Sequence, residues 1–240
     1  MRMFLMIAAL PLAACGGIAS GSDSGTRATA SGSGSSRSFQ VADFTAVDLR
    51  GFDDVDVRVG GAFAVTADGP SEELDRLDIR KDGDTLKVGR KREDWGRDGK
   101  AVKVHVTMPR IAAASVAGSG DLTVDKASGD TFDASIAGSG NLSIGTLSAK
   151  SAELDIAGSG DLTAAGRADR VKSSIAGSGN VNARALKTAG ADVSIAGSGN
   201  VSLDVDGPAK VTIMGSGDAA MGPNAKCSTT AMGSGEARCG

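Results

Sequence analysis

The refrain Ala117-Gly118-Ser119-Gly120-Asp121 decides the fold, because it keeps returning: Ala137-Gly138-Ser139-Gly140-Asn141, Ala157-Gly158-Ser159-Gly160-Asp161, Ala176-Gly177-Ser178-Gly179-Asn180 and Ala196-Gly197-Ser198-Gly199-Asn200. Two variants close the series, Met214-Gly215-Ser216-Gly217-Asp218 and Met232-Gly233-Ser234-Gly235-Glu236. Between first glycines the steps are 20, 20, 19, 20, 18 and 18 residues. That spacing belongs to stacked solenoid coils and is far too long for a heptad.

The flanks of the refrain alternate. Two residues before each first glycine stand Val116, Ile136, Ile156, Ile175, Ile195, Ile213 and Ala231, and four after it Leu122, Leu142, Leu162, Val181, Val201, Ala219 and Ala237. Six before and six after, the columns are again apolar or small, ending at Cys227 and Cys239. A period of two is the signature of a strand, whose successive side chains point to opposite faces. Two strands therefore meet at each Gly-Ser-Gly corner, where glycine permits positive φ and close backbone approach. A coil of this kind buries its apolar row only against the coils above and below it. The fold expected is all-β, a right-handed parallel β-helix (β-solenoid) of about seven coils of 18–20 residues, the hand following from the rule for parallel crossovers. At about 4.8 Å per coil the stack is a rod of about 34 Å. The third side of each coil, such as 125–131 or 204–210, is shorter and more variable.

The chain has 240 residues, a net charge of -3, 35 glycines, one Trp and no Tyr, and its apolar fraction of 40% is ordinary for a folded domain. Met1-Arg2-Met3, the apolar run Phe4 to Leu12 and the small residues after it read as an export signal, too short to span a bilayer. Leu12-Ala13-Ala14-Cys15-Gly16 resembles the lipobox of bacterial lipoproteins; that resemblance implies lipidation at Cys15, with Gly16 favouring the outer membrane. The organisation expected is a signal peptide over residues 1–15, a flexible Gly/Ser linker over 16–38 and one β-helix domain over 39–240, its N-terminal β part 39–110 and its repeats 111–240.

Within 39–110, Val55, Val57 and Val59 alternate with polar residues, Ser71 reads as the N-cap of a short helical turn holding Leu74 and Leu77, and Asp82-Gly83 marks a tight turn before Leu86 and Val88. Val102, Val104, Val106 and Met108 form the last alternating strand before Pro109. This part is expected to cap the rod, since an uncovered first coil leaves a sticky edge. The order Phe44-Thr45-Ala46-Val47, Val55-Asp56-Val57, Asp82-Gly83-Asp84-Thr85-Leu86-Lys87-Val88, Val104-His105-Val106-Thr107-Met108-Pro109 and then Gly-Ser-Gly-Asp/Asn resembles the bacterial head GIN domain family, over about residues 40–235. The resemblance implies a parallel β-helix in the cell envelope and an adhesin-like role, and it carries over no catalytic residues.

Three features are candidates for chemistry. The column three after each first glycine, Asp121, Asn141, Asp161, Asn180, Asn200, Asp218 and Glu236, is either a corner-capping polar ladder or a set of calcium ligands, although the nonapeptide spacing of calcium β-rolls is absent. Between Arg80 and Lys103 nine basic residues face five acidic ones, a charged loop or a patch for anionic lipid or polysaccharide with Trp95 as a stacking platform. His105, flanked by Val104 and Val106, reads as a solvated surface residue. Cys227 and Cys239 are candidates for a disulfide that needs the last coil to fold inward, because a regular corner would hold the two columns apart.

The function expected is a non-catalytic, lipid-anchored envelope module that binds a surface or serves a structural role, without metal or cofactor. Its expected partners are the membrane, through the N-terminal lipid, and an envelope polysaccharide or protein ligand. Nucleic acid is excluded by export and by the acidic balance. The alternatives are a carbohydrate-active lyase or hydrolase and an envelope-stress or signalling accessory.

Overall fold

The computed structural model describes residues 25–94 and 99–240. The export signal, Cys15, the first part of the linker and Trp95 lie outside them. Almost every described element is a strand, and the repeats wind into a parallel β-solenoid of about six turns rather than seven. The difference is one of counting, since seven corners bound six complete intervals.

Successive coils pair in parallel and in register. Leu122–Gly138 lies on Leu142–Gly158 with Leu122 opposite Leu142, Ile136 opposite Ile156 and Gly138 opposite Gly158. Each strand runs as one ladder of 17 residues around two bends, so the third side is also a strand, with Ala127 and Leu147 buried on it. Coil length varies on that side: the register slips between Ile144 and Leu147, between Thr163 and Ala165 and between Ala183 and Lys187.

The interior is filled by the columns read from the alternation. Ile136, Ile156, Leu142 and Leu162 are no more than 2% exposed, and burying one such side chain contributes about 1.5–3 kcal/mol. A further inward column, four before each first glycine, holds Ala114, Ala134, Leu154, Ser173, Val193 and Val211. Ser173 is fully buried there and its Oγ has no hydrogen-bond partner. An unsatisfied buried hydroxyl costs about 1–3 kcal/mol. Ser173→Ala is therefore expected to raise stability by about 1 kcal/mol in denaturant melts, whereas a loss of that size would mean the hydroxyl has a partner.

Residues 39–110 start and close the rod, and the chain doubles back in doing so. Ala46–Gly51 pairs in parallel with Ala113–Gly118 on one side and with Thr85–Arg90 on the other. Asp54–Val59 likewise pairs with both Leu122–Gly138 and Lys103–Met108. The level formed by Thr85–Arg90 and Lys103–Met108 thus lies outside the one that precedes it in sequence. Antiparallel strands then close this end, Ala64–Asp68 on Lys103–Met108 and Leu77–Asp82 on Thr85–Arg90. Thr26–Arg27 and Thr29–Ser31 add to the closing strands, so folded structure begins well before residue 39. These edge segments hold by backbone pairing and carry no apolar period, which is why composition alone reads them as linker. Ser71 is not an N-cap but the first residue of the helix Ser71–Leu74; Pro70 holds the N-cap position without a side-chain cap, and the Ser71 Oγ accepts from Arg37.

Candidate functional site

The corners are rigid constructions. Each first glycine, from Gly118 to Gly233, has φ between +130° and +144°. From Gly118 to Gly215 the carbonyl of each first glycine accepts from two amides of the next corner, as Gly118 does from Ser139 at 2.9 Å and Gly140 at 2.9 Å. At the second glycines a Cβ would stand 2.0–2.3 Å from the carbonyl oxygen of the residue beneath. The serine between them points outward.

The polar column after each corner is a hydrogen-bonded ladder. Asp121 Oδ1 accepts from the Asn141 amide at 3.2 Å and from Asn141 Nδ2 at 2.9 Å, and Asp161 Oδ1 does the same for Asn180. Asn141, Asn180, Asn200 and Asp218 continue the series, each side-chain oxygen accepting from the backbone of the residue above, up to Glu236. Asp54, not singled out by the refrain, starts it by accepting from the Asp121 amide. Asn after Asp has a physical reason: the amide donates to the carboxylate below, whereas a second carboxylate would repel it. Among the described residues no group of three or more His, Cys, Asp or Glu is placed to hold a metal ion, and the ladder offers one acidic or amide side chain per step.

On the outward face Asp155 sits between Ser135 and Ser174. One carboxylate oxygen is buried without a partner, and burial pushes its carboxyl up. A raised folded value favours folding at low pH, and this contribution is lost as pH rises through it. Beside it, Lys172 pairs with Glu153.

Several cations of the basic segment are engaged within the fold. Arg80 pairs with Asp78, Lys87 with Asp82, and Lys91 donates to the carbonyl of Asp75. Arg90 is buried: it donates to both oxygens of Asp53, to Glu73 and to the Lys100 carbonyl, and its guanidinium stacks 4.7 Å from the centre of the Phe52 ring. Asp53 is fully buried and also accepts from the Val102 amide at 3.0 Å. Hydrogen bonding from Arg90 holds the Glu73 carboxyl below its ordinary range. Glu73 also pairs with Arg76 at 3.3 Å.

This junction was missed in the sequence, yet a signal exists. Gly51 aligns with Gly118, so Gly51-Phe52-Asp53-Asp54 is an eighth, degenerate refrain with Asp53 in place of the second glycine. The chain beneath turns away at Arg90, leaving room for a side chain that ties the cap to the stack.

His105 is half-exposed, its Nε2 3.5 Å from Asp68 and its Nδ1 3.9 Å from Asp56. Cys227 and Cys239 are bonded, with Cα atoms 6.1 Å apart. The expectation that a corner separates them does not hold in this coil: both columns point inward and face each other across its narrow interior. The described surface has an open cleft of 520 Å³ near the C-terminus, lined by Arg184, Asp204, Pro223 and Arg238 among others, and a smaller one beside Phe44 and Phe63.

The geometry is shared with solved structures. A putative adhesin from Bacteroides fragilis NCTC 9343 superposes with a TM-score of 0.78 at 21% identity, over 85% of this chain and 95% of that one. A putative lipid binding protein from Parabacteroides distasonis ATCC 8503 gives 0.70 at 21% identity, over 85% and 96%. A putative adhesin from Parabacteroides merdae ATCC 43184 gives 0.68 at 18% identity, over 86% and 95%. No curated protein matches the chain. At these identities the likeness establishes the fold. The family model for "Putative auto-transporter adhesin, head GIN domain" matches residues 43–225, well over half of the sequence and all of the corners from Gly51 to Gly215, and the chain belongs to that family.

Proposed function

We propose that this protein is a non-catalytic, lipid-anchored rod of the bacterial outer membrane that binds an envelope polysaccharide or protein surface. The observation that supports it most is the repetition itself. Seven similar corners present the same serine and an acidic or amide ladder residue at every step, an extended and regular surface suited to an extended or repetitive ligand. The ladder's polar atoms are engaged in holding the corners, so in this reading they shape the surface and perform no acid–base chemistry. The interior is packed with the chain's own side chains, which leaves ligands the outer faces. Family membership among adhesin-like proteins points the same way, and the lipobox resemblance supplies the anchor at Cys15.

The test is made in cells. Wild-type protein is expected to partition into detergent and to increase, several-fold, the adhesion of the cells to polysaccharide-coated or protein-coated surfaces, and Cys15→Ser to lose both. Equal partitioning of the two proteins would remove the anchor from the proposal. Release of new reducing or unsaturated ends from polysaccharide by the purified wild type would replace binding with catalysis.

A further inference from the structure

The level formed by Ala46–Gly51 and Asp54–Val59 has no third side of its own. After Val59 the chain leaves for the closing strand Ala64–Asp68, and the short connection 109–112 leads past the gap into Ala113–Gly118. In the coils that follow, a strand with buried Ala127 or Leu147 occupies the third side. Here an open cleft of 370 Å³ remains, within the size range of small-ligand sites. Its apolar part is half-buried Phe63, whose ring centre lies 4.8 Å from that of fully buried Phe44, with Pro109 beside it. Three charged residues, Asp43, Asp84 and Arg110, also line it. All three are exposed, and none of their side chains has a hydrogen-bond or ion-pair partner among the described residues. By contrast Arg27, Arg37, Arg76, Arg80 and Arg90, on the same cap, each pair with a carboxylate. The loops around the cleft are fixed to one another. The Thr45 amide donates to the Asp84 carbonyl at 2.8 Å, the Thr45 carbonyl accepts from the Ala112 amide at 2.7 Å, and the Gly60 amide donates to the Met108 carbonyl at 2.9 Å. Asp43 is the one residue other than glycine with positive φ among the described residues, at +59°, a sparsely populated conformation that persists where the surroundings over-determine it. The cleft is therefore pre-formed, which spares a ligand the cost of ordering it.

We infer that this cleft binds a small zwitterion, its ammonium group held by Asp43 and Asp84 against Phe63 and its oxyanion held by Arg110. Charges of both signs that line one cleft without meeting each other leave a gap for a ligand to bridge. An ammonium supplies the donors that two carboxylates accept, in charge-assisted hydrogen bonds. Its carbon substituents bury against the aromatic side, and the face of a phenyl ring attracts cations. A metal ion would gain only two carboxylates here and would leave the ring unused. The planar guanidinium of Arg110 fits the oxygens of a phosphate or a carboxylate. Ethanolamine phosphate has this chemistry, either as a free solute or as the headgroup of a lipid.

The full-length protein, in a detergent free of ammonium and phosphate groups, is titrated calorimetrically with four probes: ethanolamine phosphate, its glycerol diester, ethanolamine alone and inorganic phosphate alone. Both esters are expected to bind, and the separate halves to bind at least about tenfold more weakly, because a bridging ligand joins two contacts in one molecule. Tighter binding of the diester assigns the cleft to a lipid headgroup, and tighter binding of the monoester to a free solute. Asp84→Asn and Arg110→Gln change exposed side chains without partners, so the melting temperature is expected to stay constant while ester binding weakens about tenfold or more in each. Arg184→Gln, in the other cleft near the C-terminus, is expected to leave ester binding unchanged. The inference is overturned if neither ester binds, if either half binds as tightly as the esters, or if ester binding survives both Asp84→Asn and Arg110→Gln.

Discussion

Gly160→Ala is expected to disrupt the central coils, while Gly129→Ala leaves them intact. The methyl group at 160 would stand 2.0 Å from the carbonyl oxygen of Gly140 and 3.0 Å from the Ile136 side chain. Neither neighbour can yield cheaply. The carbonyl belongs to a backbone fixed at every level by the corner hydrogen bonds, and Ile136 is buried under Ile156. Relief requires the coil spacing to open at that corner, which breaks the bonds from Ser159 and Gly160 to Gly138 and withdraws the adjacent apolar columns from each other. The combined cost is expected to be about 4 kcal/mol or more, at the extreme of single substitutions. At Gly129 the nearest atom to a built Cβ is 3.7 Å away and φ is not positive, so alanine there is expected to be neutral or to stabilise by about 0.4–1 kcal/mol through the unfolded chain. Denaturant melts of the two variants, with hydrogen exchange at Leu142–Gly158 and Asp161–Gly177, separate these outcomes. Similar melting of both would mean that the corner tolerates a side chain and that the refrain is kept for another reason.

The repeats were legible because one coil is tested against the next within a single sequence. Ile156 is read as buried since Ile136 and Ile175 occupy equivalent positions, and the structure stacks them in register. The column through Leu154 and Ser173 was less visible: alanine and serine in it blur the apolar signal, and burial there follows from strand geometry rather than composition. The cap was legible only as β structure. Nothing in the sequence order announces that Thr85–Arg90 lies outside Ala46–Gly51, because the repeat logic that places each coil on its predecessor is suspended where the chain doubles back.

The polar ladder illustrates the same limit for the site. Its alternation of Asp and Asn is a pattern in the sequence, but whether its oxygens face a cation or the next backbone amide depends on the corner's orientation. The distances of 2.9–3.2 Å from the Asn141 side-chain and backbone nitrogens to Asp121 place them on the next coil. Cys227 and Cys239 were separated by a corner in the linear reading and are joined across the coil's interior in three dimensions. For the cysteines the missing information was the narrow cross-section of the coil, which no one-dimensional period contains.

The cap should depend on Arg90 out of proportion to its single position. With Asp53 fully buried, Arg90→Met leaves a carboxylate whose remaining described partner is the Val102 amide, and breaking a buried pair in this way costs about 3–5 kcal/mol. The loss should appear first in hydrogen exchange of Thr85–Arg90 and Lys103–Met108, the level that Arg90 fastens to Asp53, while the coils beyond Gly138 stay protected. Asp53→Asn combined with Arg90→Met keeps an acceptor for Val102 and removes the stranded charge, so the double variant is expected to be more stable than Arg90→Met alone. A pH series adds an independent sign. Hydrogen bonding from Arg90, then the Lys100 backbone and Arg76, lowers the Glu73 carboxyl from its ordinary value of 4.5, so the stability it contributes is complete above that value and is lost as pH falls through the depressed one. Arg90→Met should flatten this acid limb as well as lower the plateau at neutral pH. A variant with the wild-type plateau and the wild-type acid limb would show that the junction does not hold the cap, leaving the antiparallel strands to do so by backbone pairing alone.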